Sequence, residues 1–349
     1  MNPPDCVSWA ALSAGEKAAF GRRLAAALPT GFAFADVARH ELGDVAGETA
    51  RFTGPGGRAW AFVPGGEARL GFDASTWTPT AAEAESWART AEDFDLAPDP
   101  AARVAEVVTP VRTAVLPPLL VEAAATELGW EPADLGDPDV QEALRSLDEA
   151  RPGAREITAH RGDSAVRVRA GKDGALTAHR AGPLTPEGLS RTVRAEGFRF
   201  PTDDEWERLC GGGATTLWRW GDHVPDDRYP TEVSPAEAAW QREWALSGGT
   251  LERPAEGFQS DWDLHRRPNA LGLHIAEDPY QREVVEGSAG VVVGTRGGDG
   301  GCAICGGEGF LAGWLPLATA WREPFYCGFA GDAAPTIGYT FGRRVLELG

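Results

Sequence analysis

Lysine is scarce in this chain, cysteines number five, and no run of about 18 apolar residues occurs. Each shortage excludes something. Without a long apolar run there is no candidate membrane-spanning helix. Five unevenly placed cysteines cannot build a disulfide scaffold. The start, Met1-Asn-Pro-Pro-Asp-Cys6, has no basic stretch followed by an apolar one, so no secretory leader is expected and a cytoplasmic location is the default. Positive charge is also short: 33 Lys and Arg face 52 Asp and Glu, a net charge of −19. Such a surface repels phosphate backbones, so neither nucleic acid nor an anionic membrane is an expected partner. An acidic bias of this kind is common in high-GC bacterial proteomes. There is no G-x-S-x-G elbow, no H-E-x-x-H, no P-loop, no internal repeat and no low-complexity tract.

What the chain does have is glycine (44) and tryptophan (13), within an otherwise average 42% hydrophobic and 24% charged composition. Many glycines between short apolar runs predict loop-rich structure. Helices are expected where capping residues precede periodic segments. Ser13 with Glu16 opens one that stops at Pro29, and Thr80 to Glu92 forms another. Asp137 followed by Pro138 opens a third, Thr185 followed by Pro186 a fourth, and Ser234 with Glu237 a fifth. A further short helix is expected over 34–42. Residues 155–181 alternate as strands around a turn at Gly171-Lys-Asp-Gly174.

The most informative stretch is Phe198-Arg-Phe-Pro-Thr-Asp-Asp-Glu-Trp-Glu-Arg-Leu209, followed by Trp218-Arg-Trp-Gly-Asp222. It reads as a strand end, a Pro-Thr turn and a helix capped reciprocally by Thr202 and Glu205, with Asp203 and Asp204 at the positive end of the helix dipole. The string resembles the "R-L-P-T-E-x-E-W-E … W-G" signature of the formylglycine-generating enzyme family, the sulfatase-modifying-factor domain. Further segments match in order. They are Ala61 to Gly71 (Ala-Phe-Val-Pro-Gly-Gly-Glu-Ala-Arg-Leu-Gly), Val111 to Leu120, Pro268-Asn-Ala-Leu-Gly-Leu273, Arg296-Gly-Gly-Asp299 and Gly342-Arg-Arg-Val345. The matches cover roughly residues 58–348.

The resemblance implies an α+β fold with a C-type-lectin-like core and little regular secondary structure, enlarged by helical and hairpin insertions. Residues 1–45 are then an N-terminal helical extension, and 46–349 the domain proper, with insertions near 80–100 and 135–182. Trp206, Trp218 and Trp220 are expected in the core, Asp222 at a turn, and Glu205 and Glu207 in capping and surface roles.

The resemblance places chemistry in the loop Arg296-Gly-Gly-Asp-Gly-Gly-Cys-Ala-Ile-Cys-Gly-Gly307. Catalytic members carry two cysteines there, four residues apart, which bind Cu(I) while O2 oxidises a peptidyl cysteine. Paired soft thiolates select Cu(I) over harder ions. Cys302 falls where the first cysteine is expected. The second would be at Gly307, and the chain has Cys305 instead. Asp299 stands where the family has Ser, as a hydrogen-bond acceptor or metal ligand. Two readings of Cys302 and Cys305 stand open: a soft-metal or thiol-redox pair, or a pair without chemistry in a Gly-rich loop. Cys327 or His274 can complete a zinc site; Cys6 and Cys210 are read as incidental or buried.

A second departure concerns calcium. The family's ligand segment is replaced by His274-Ile-Ala-Glu-Asp-Pro-Tyr-Gln-Arg-Glu-Val-Val285, so calcium is doubtful, and Arg282 can form an internal ion pair in its place. The other calcium segment keeps Glu256. The H-x3-H-x-E iron motif of related sulfoxide synthases is absent, and the six histidines are scattered. The expected function is therefore a divergent member of the family, an oxygen-dependent oxidoreductase if it is an enzyme, acting on a peptide or small molecule through Cys302 and Cys305. The alternative is a non-catalytic lectin-like binding module, and a third reading is authentic peptidyl-cysteine oxidation.

Overall fold

The computed structural model describes residues 3–149, 155–171, 174–247, 251, 261–301, 309–322 and 336–349. Two helices open the chain, α1 (Cys6–Ala11) and α2 (Ala14–Ala27). Ser13 and Glu16 form the expected capping box on α2. The strands β1 (Ala33–Leu42) and β2 (Val45–Thr53) then pair antiparallel. The short helix expected over 34–42 is therefore a strand. Gly43 takes φ +59 at the first position of the two-residue connection, a geometry suited to a tight hairpin, and cross-strand pairing outweighs the helix preference of its alanines.

Next come β3 (Ala59–Val63) and β4 (Gly66–Leu70), split by Pro64-Gly65. The helices α3 (Ala81–Phe94) and α4 (Pro100–Val107) follow, then β5 (Arg112–Leu116) and β6 (Leu119–Glu122), split by Pro117-Pro118. The region with the strands β7 (Thr126–Glu127) and β8 (Trp130–Pro132) leads to α5 (Pro138–Glu149) and the meander β9 (Glu156–Arg161), β10 (Ser164–Ala170) and β11 (Leu176–Ala181). The helices α6 (Pro186–Ala195), α7 (Asp203–Gly211) and α8 (Pro235–Leu246) precede β12 (Arg282–Glu286) and β13 (Val292–Arg296). The last elements are α9 (Gly309–Trp314), β14 (Thr340–Gly342) and β15 (Val345–Glu347).

The strands form a five-stranded sheet β1-β2-β3-β6-β15, four-stranded sheets β8-β11-β10-β9 and β13-β12-β14-β7, and the pair β4-β5. All pairings between these strands are antiparallel except β12 with β14. The chain is thus mixed α+β. Its regular structure is more extensive than the resemblance implies, because the connections between motifs carry capped helices and hairpins of their own.

The centre of the five-stranded sheet is buried on both faces. On β3, Trp60 and Phe62 face α1 and α2 with Trp9, Phe20 and Leu24, while Ala61 and Val63 face α7 with Trp206 and Leu209. A strand covered on both faces reads as a continuous apolar run rather than an alternating one. The N-terminal region therefore packs into the same sheet as the motif strands. A separate small core joins α5 to the meander through Val140, Ala143, Val166 and Val168. Among the described residues no helix is long and apolar enough to cross a membrane.

Candidate functional site

Helix α7 positions the site. Thr202 and Glu205 cap it reciprocally, as the sequence requires, and Gly212 ends it in the left-handed region at φ +60. Each of its acidic residues then meets an arginine from another segment. Asp203 accepts from Arg296 Nε at 3.0 Å. Asp204 and Glu207 share Arg112, at 2.6 and 3.0 Å. Glu205 binds Arg199 through both oxygens, at 2.6 and 2.8 Å. Glu207 also accepts the backbone N–H of Gly71 and the Thr109 hydroxyl. Glu207 is therefore no surface residue. It is 5% exposed, because three segments need its carboxylate.

The carbonyl end of α7 is held by Asn269. Its amide donates to Leu209 and Cys210 carbonyls at 2.6 and 3.1 Å, and its Oδ1 accepts from Leu271 and Leu273 N–H at 3.0 and 3.2 Å. Every hydrogen-bonding capacity of a buried amide is thus used. Trp206 donates to Glu283, which also receives Arg343. Trp218 is buried with Trp206, Trp220 is partly so, and Asp222 Oδ1 closes its turn on Leu217 N–H at 2.9 Å.

The Gly-rich loop starts at the end of β13, which is anchored to this helix. Arg296, 2% exposed, donates to Asp203 and to the Trp321 carbonyl, so the strand end is pinned on two sides. Gly297 has φ +76, and a Cβ there would sit 2.7 Å from the Trp206 ring, so only glycine lets the strand turn against the helix. Asp299 is 2% exposed. Its backbone N–H bonds the Pro279 carbonyl at 3.1 Å, and its Oδ1 accepts from Gly301 N–H at 2.7 Å. Asp299 is therefore an acceptor, and what it shapes is the turn that launches the loop. The Arg282 guanidinium lies alongside Gly300, and the Tyr280 ring alongside Gly301.

Cys302, Cys305 and Gly307 lie outside the described residues, as do Cys327 and Glu256. The chain is described again from Gly309, at α9. Gly309 approaches α3 so closely that a Cβ would fall 2.8 Å from Thr90 Oγ1. Beside it opens a cleft of about 430 Å³, lined by Ser86, Thr90, Asp226, Arg228, Tyr229 and Phe310 among others. Arg228 stacks over Trp262 at 4.1 Å and pairs with Asp227 at 2.7 Å, and its buried Nε has no hydrogen-bond partner among the described residues. No sequence signal marked this cleft, because its walls come from α3, the segment after Trp220 and α9.

Electrostatics separate the remaining candidates. Burial pushes the Cys210 thiol up to about 12, so it stays protonated and does not act as a second reactive thiol. His274 is raised above the ordinary imidazole range by its hydrogen bond to Glu277, and its Nδ1 also faces the Arg266 carbonyl. Burial raises the neighbouring Asp278 carboxyl. Among the described residues no group of three or more His, Cys, Asp or Glu side chains could hold a metal ion. No protein-family model matches this chain, and no curated protein matches it.

Proposed function

We propose that this chain is a divergent, C-type-lectin-like domain of the formylglycine-generating type. Its Gly-rich loop works through Cys302 and Cys305 as a soft-metal or thiol-redox centre on a peptide or small-molecule substrate. The observation that supports this reading is the convergence on α7. Segments chosen from the sequence only for their resemblance, at Gly71, Arg112, Asn269, Arg296 and Arg343, all reach that helix directly or through one carboxylate. Unrelated look-alike strings have no reason to meet on one element. The foot of the loop is also held from several sides, which a reactive pair needs for fixed placement.

Two thiolates are a soft donor set, and the ion they fit is Cu(I). Cys302 and Cys305 would hold it, and it would supply electron transfer to O2. The rest of the chain positions these sulfurs: Arg296 and Asp203 anchor the strand end, and Asp299 sets the turn. Gly307, where the family has its second cysteine, weighs against authentic peptidyl-cysteine oxidation. A second reading, a non-catalytic module binding a peptide or small ligand, is favoured by the polar cleft beside α9 and the spare donor of Arg228.

The deciding experiment is an anaerobic Cu(I) titration of the reduced full-length protein, with Cys302→Ala as control. One-to-one binding that disappears in the variant supports the soft-metal centre. Absent binding, or binding indifferent to Cys302, overturns it and leaves the binding module.

A further inference from the structure

A second cavity, of about 340 Å³, lies between α1, the β1–β2 hairpin and the turn after Asn269. None of its lining residues belongs to the Gly-rich loop or to the cleft beside α9. One wall is apolar, with Trp9 and Leu271; the other carries Cys6, Lys17, Arg39, Glu48 and Arg208. Three cations thus face one carboxylate, in a protein of net charge −19.

The cations differ in what they already hold. Lys17, with its side chain 5% exposed, is neutralised by Glu48 at 2.6 Å. Arg39 pairs at the surface with Glu41 at 3.3 Å. Among the described residues Arg208 has no carboxylate partner. Its one hydrogen bond among them runs from Nη2 to Cys6 Sγ at 3.4 Å, and that sulfur in turn donates to the Pro64 carbonyl at 3.4 Å. A thiol is a weak acceptor for a planar fork of five donors. The shortage is local: Asp203, Asp204, Glu205 and Glu207 on the same helix are all committed to Arg296, Arg112 or Arg199. The single guanidinium that α7 itself carries is the one that lines the cavity.

We propose that this cavity binds a small organic acid, its carboxylate in the Arg208 fork and its aliphatic body against Trp9 and Leu271. Guanidinium and carboxylate match in a bidentate geometry, and such charge-assisted pairs are strong where water is partly excluded. The volume is at the small end for ligand pockets, which suits a short-chain acid rather than a peptide. The Cys6 thiol lies at the bound carboxylate's edge and serves as its reporter.

The test alkylates the reduced full-length protein with iodoacetate or iodoacetamide and reads the Cys6 peptide by mass spectrometry. In each reaction the sulfur–carbon bond forms as the carbon–iodine bond breaks, iodide leaves and the thiol proton passes to buffer. Iodoacetate is itself a small organic acid, so its rate at Cys6 should saturate with concentration, and butyrate should slow both reagents there. In Arg208→Gln, saturation should vanish and the iodoacetate rate should fall about tenfold, the worth of one charge-assisted bond, while the iodoacetamide rate stays within about twofold. Arg208→Lys should restore part of the effect. A linear dependence on iodoacetate, no protection by butyrate, or saturation that persists in Arg208→Gln would overturn the proposal. Protection by inorganic phosphate but not butyrate would overturn the organic-acid assignment. If Arg208→Gln fails to fold by circular dichroism, butyrate protection of the unaltered protein still decides. A failed Cu(I) titration leaves this result untouched.

Discussion

The Trp206 indole Nε1 donates to Glu283 Oε2 at 3.1 Å, in a site where the two residues are 1% and 5% exposed. Arg343, fully buried, closes on the same carboxylate at 3.0 and 2.8 Å. Its remaining donors reach the Glu122 and His274 carbonyls, each at 2.6 Å. Four parts of the chain far apart in sequence are thus joined around one buried charge pair, and each nitrogen of that guanidinium group donates to an acceptor.

The pair is vulnerable to removal of one partner. Glu283→Gln keeps the shape and leaves Arg343 buried without a countercharge, so it should cost about 3–5 kcal/mol in urea unfolding. Replacing both, as Glu283→Leu with Arg343→Met, should cost clearly less, because no buried charge is then left over. A single variant within about 1 kcal/mol of the parent would mean that the pair does not organise the core.

Gly71 offers a test of the contact between β4 and α7. Its φ is +81, and an added Cβ would meet the Pro110 carbonyl oxygen at 2.1 Å. Gly71→Ala combines left-handed strain with a backbone clash and should cost about 2–5 kcal/mol. Gly57 has φ +72 but open space around it, so Gly57→Ala should cost only about 1–2 kcal/mol. Equal losses in thermal or urea unfolding would show that the segment around Pro110 shifts freely.

His265 makes stability depend on pH. It is 2% exposed, its Nε2 faces the Pro230 carbonyl at 2.9 Å, and its ring lies edge-on to Trp314. A carbonyl only accepts, so the neutral tautomer carries its proton on Nε2. Burial, with Arg266 and Arg219 nearby, lowers its pKa to about 3. The unfolded imidazole titrates near about 6.5, so between the two values the unfolded chain binds the extra proton. The stabilisation is present above about 6.5 and is lost as pH falls toward the folded pKa, by about 1.4 kcal/mol per pH unit. His265→Gln should be less stable than the parent at neutral pH, and the gap should narrow on acidification. A gap that stays constant down to about pH 4.5 would show that His265 is not held neutral.

Much of the local structure was legible in the sequence. Ser13, Thr80, Thr202 and Ser234 each cap the helix they were expected to start, and the 155–181 alternation became three paired strands. These signals depend on neighbours within a few residues. The β1 segment was misread because its alanines favour a helix, while the deciding contacts come from β2 across a hairpin. Glu207 was misread for the same reason: nothing beside it in sequence shows that Gly71, Thr109 and Arg112 all need its oxygens. Of the site, Asp299 and the Arg296 anchor are described, and the former proves to be a turn-forming acceptor.

The sequence by itself determined where helices begin, where glycine allows the chain to turn, and that the surface is acidic, because caps, backbone freedom and charge are short-range or additive. Only the tertiary structure decided which acidic residue meets which arginine. It thereby decided that α7 gathers distant segments, that Arg343 is buried against a carboxylate, and that Arg208 is left facing a cavity. Those outcomes depend on contacts across as many as 222 positions of sequence, as between Glu122 and Arg344, where burial makes an unpaired charge costly and so selects one pairing among many.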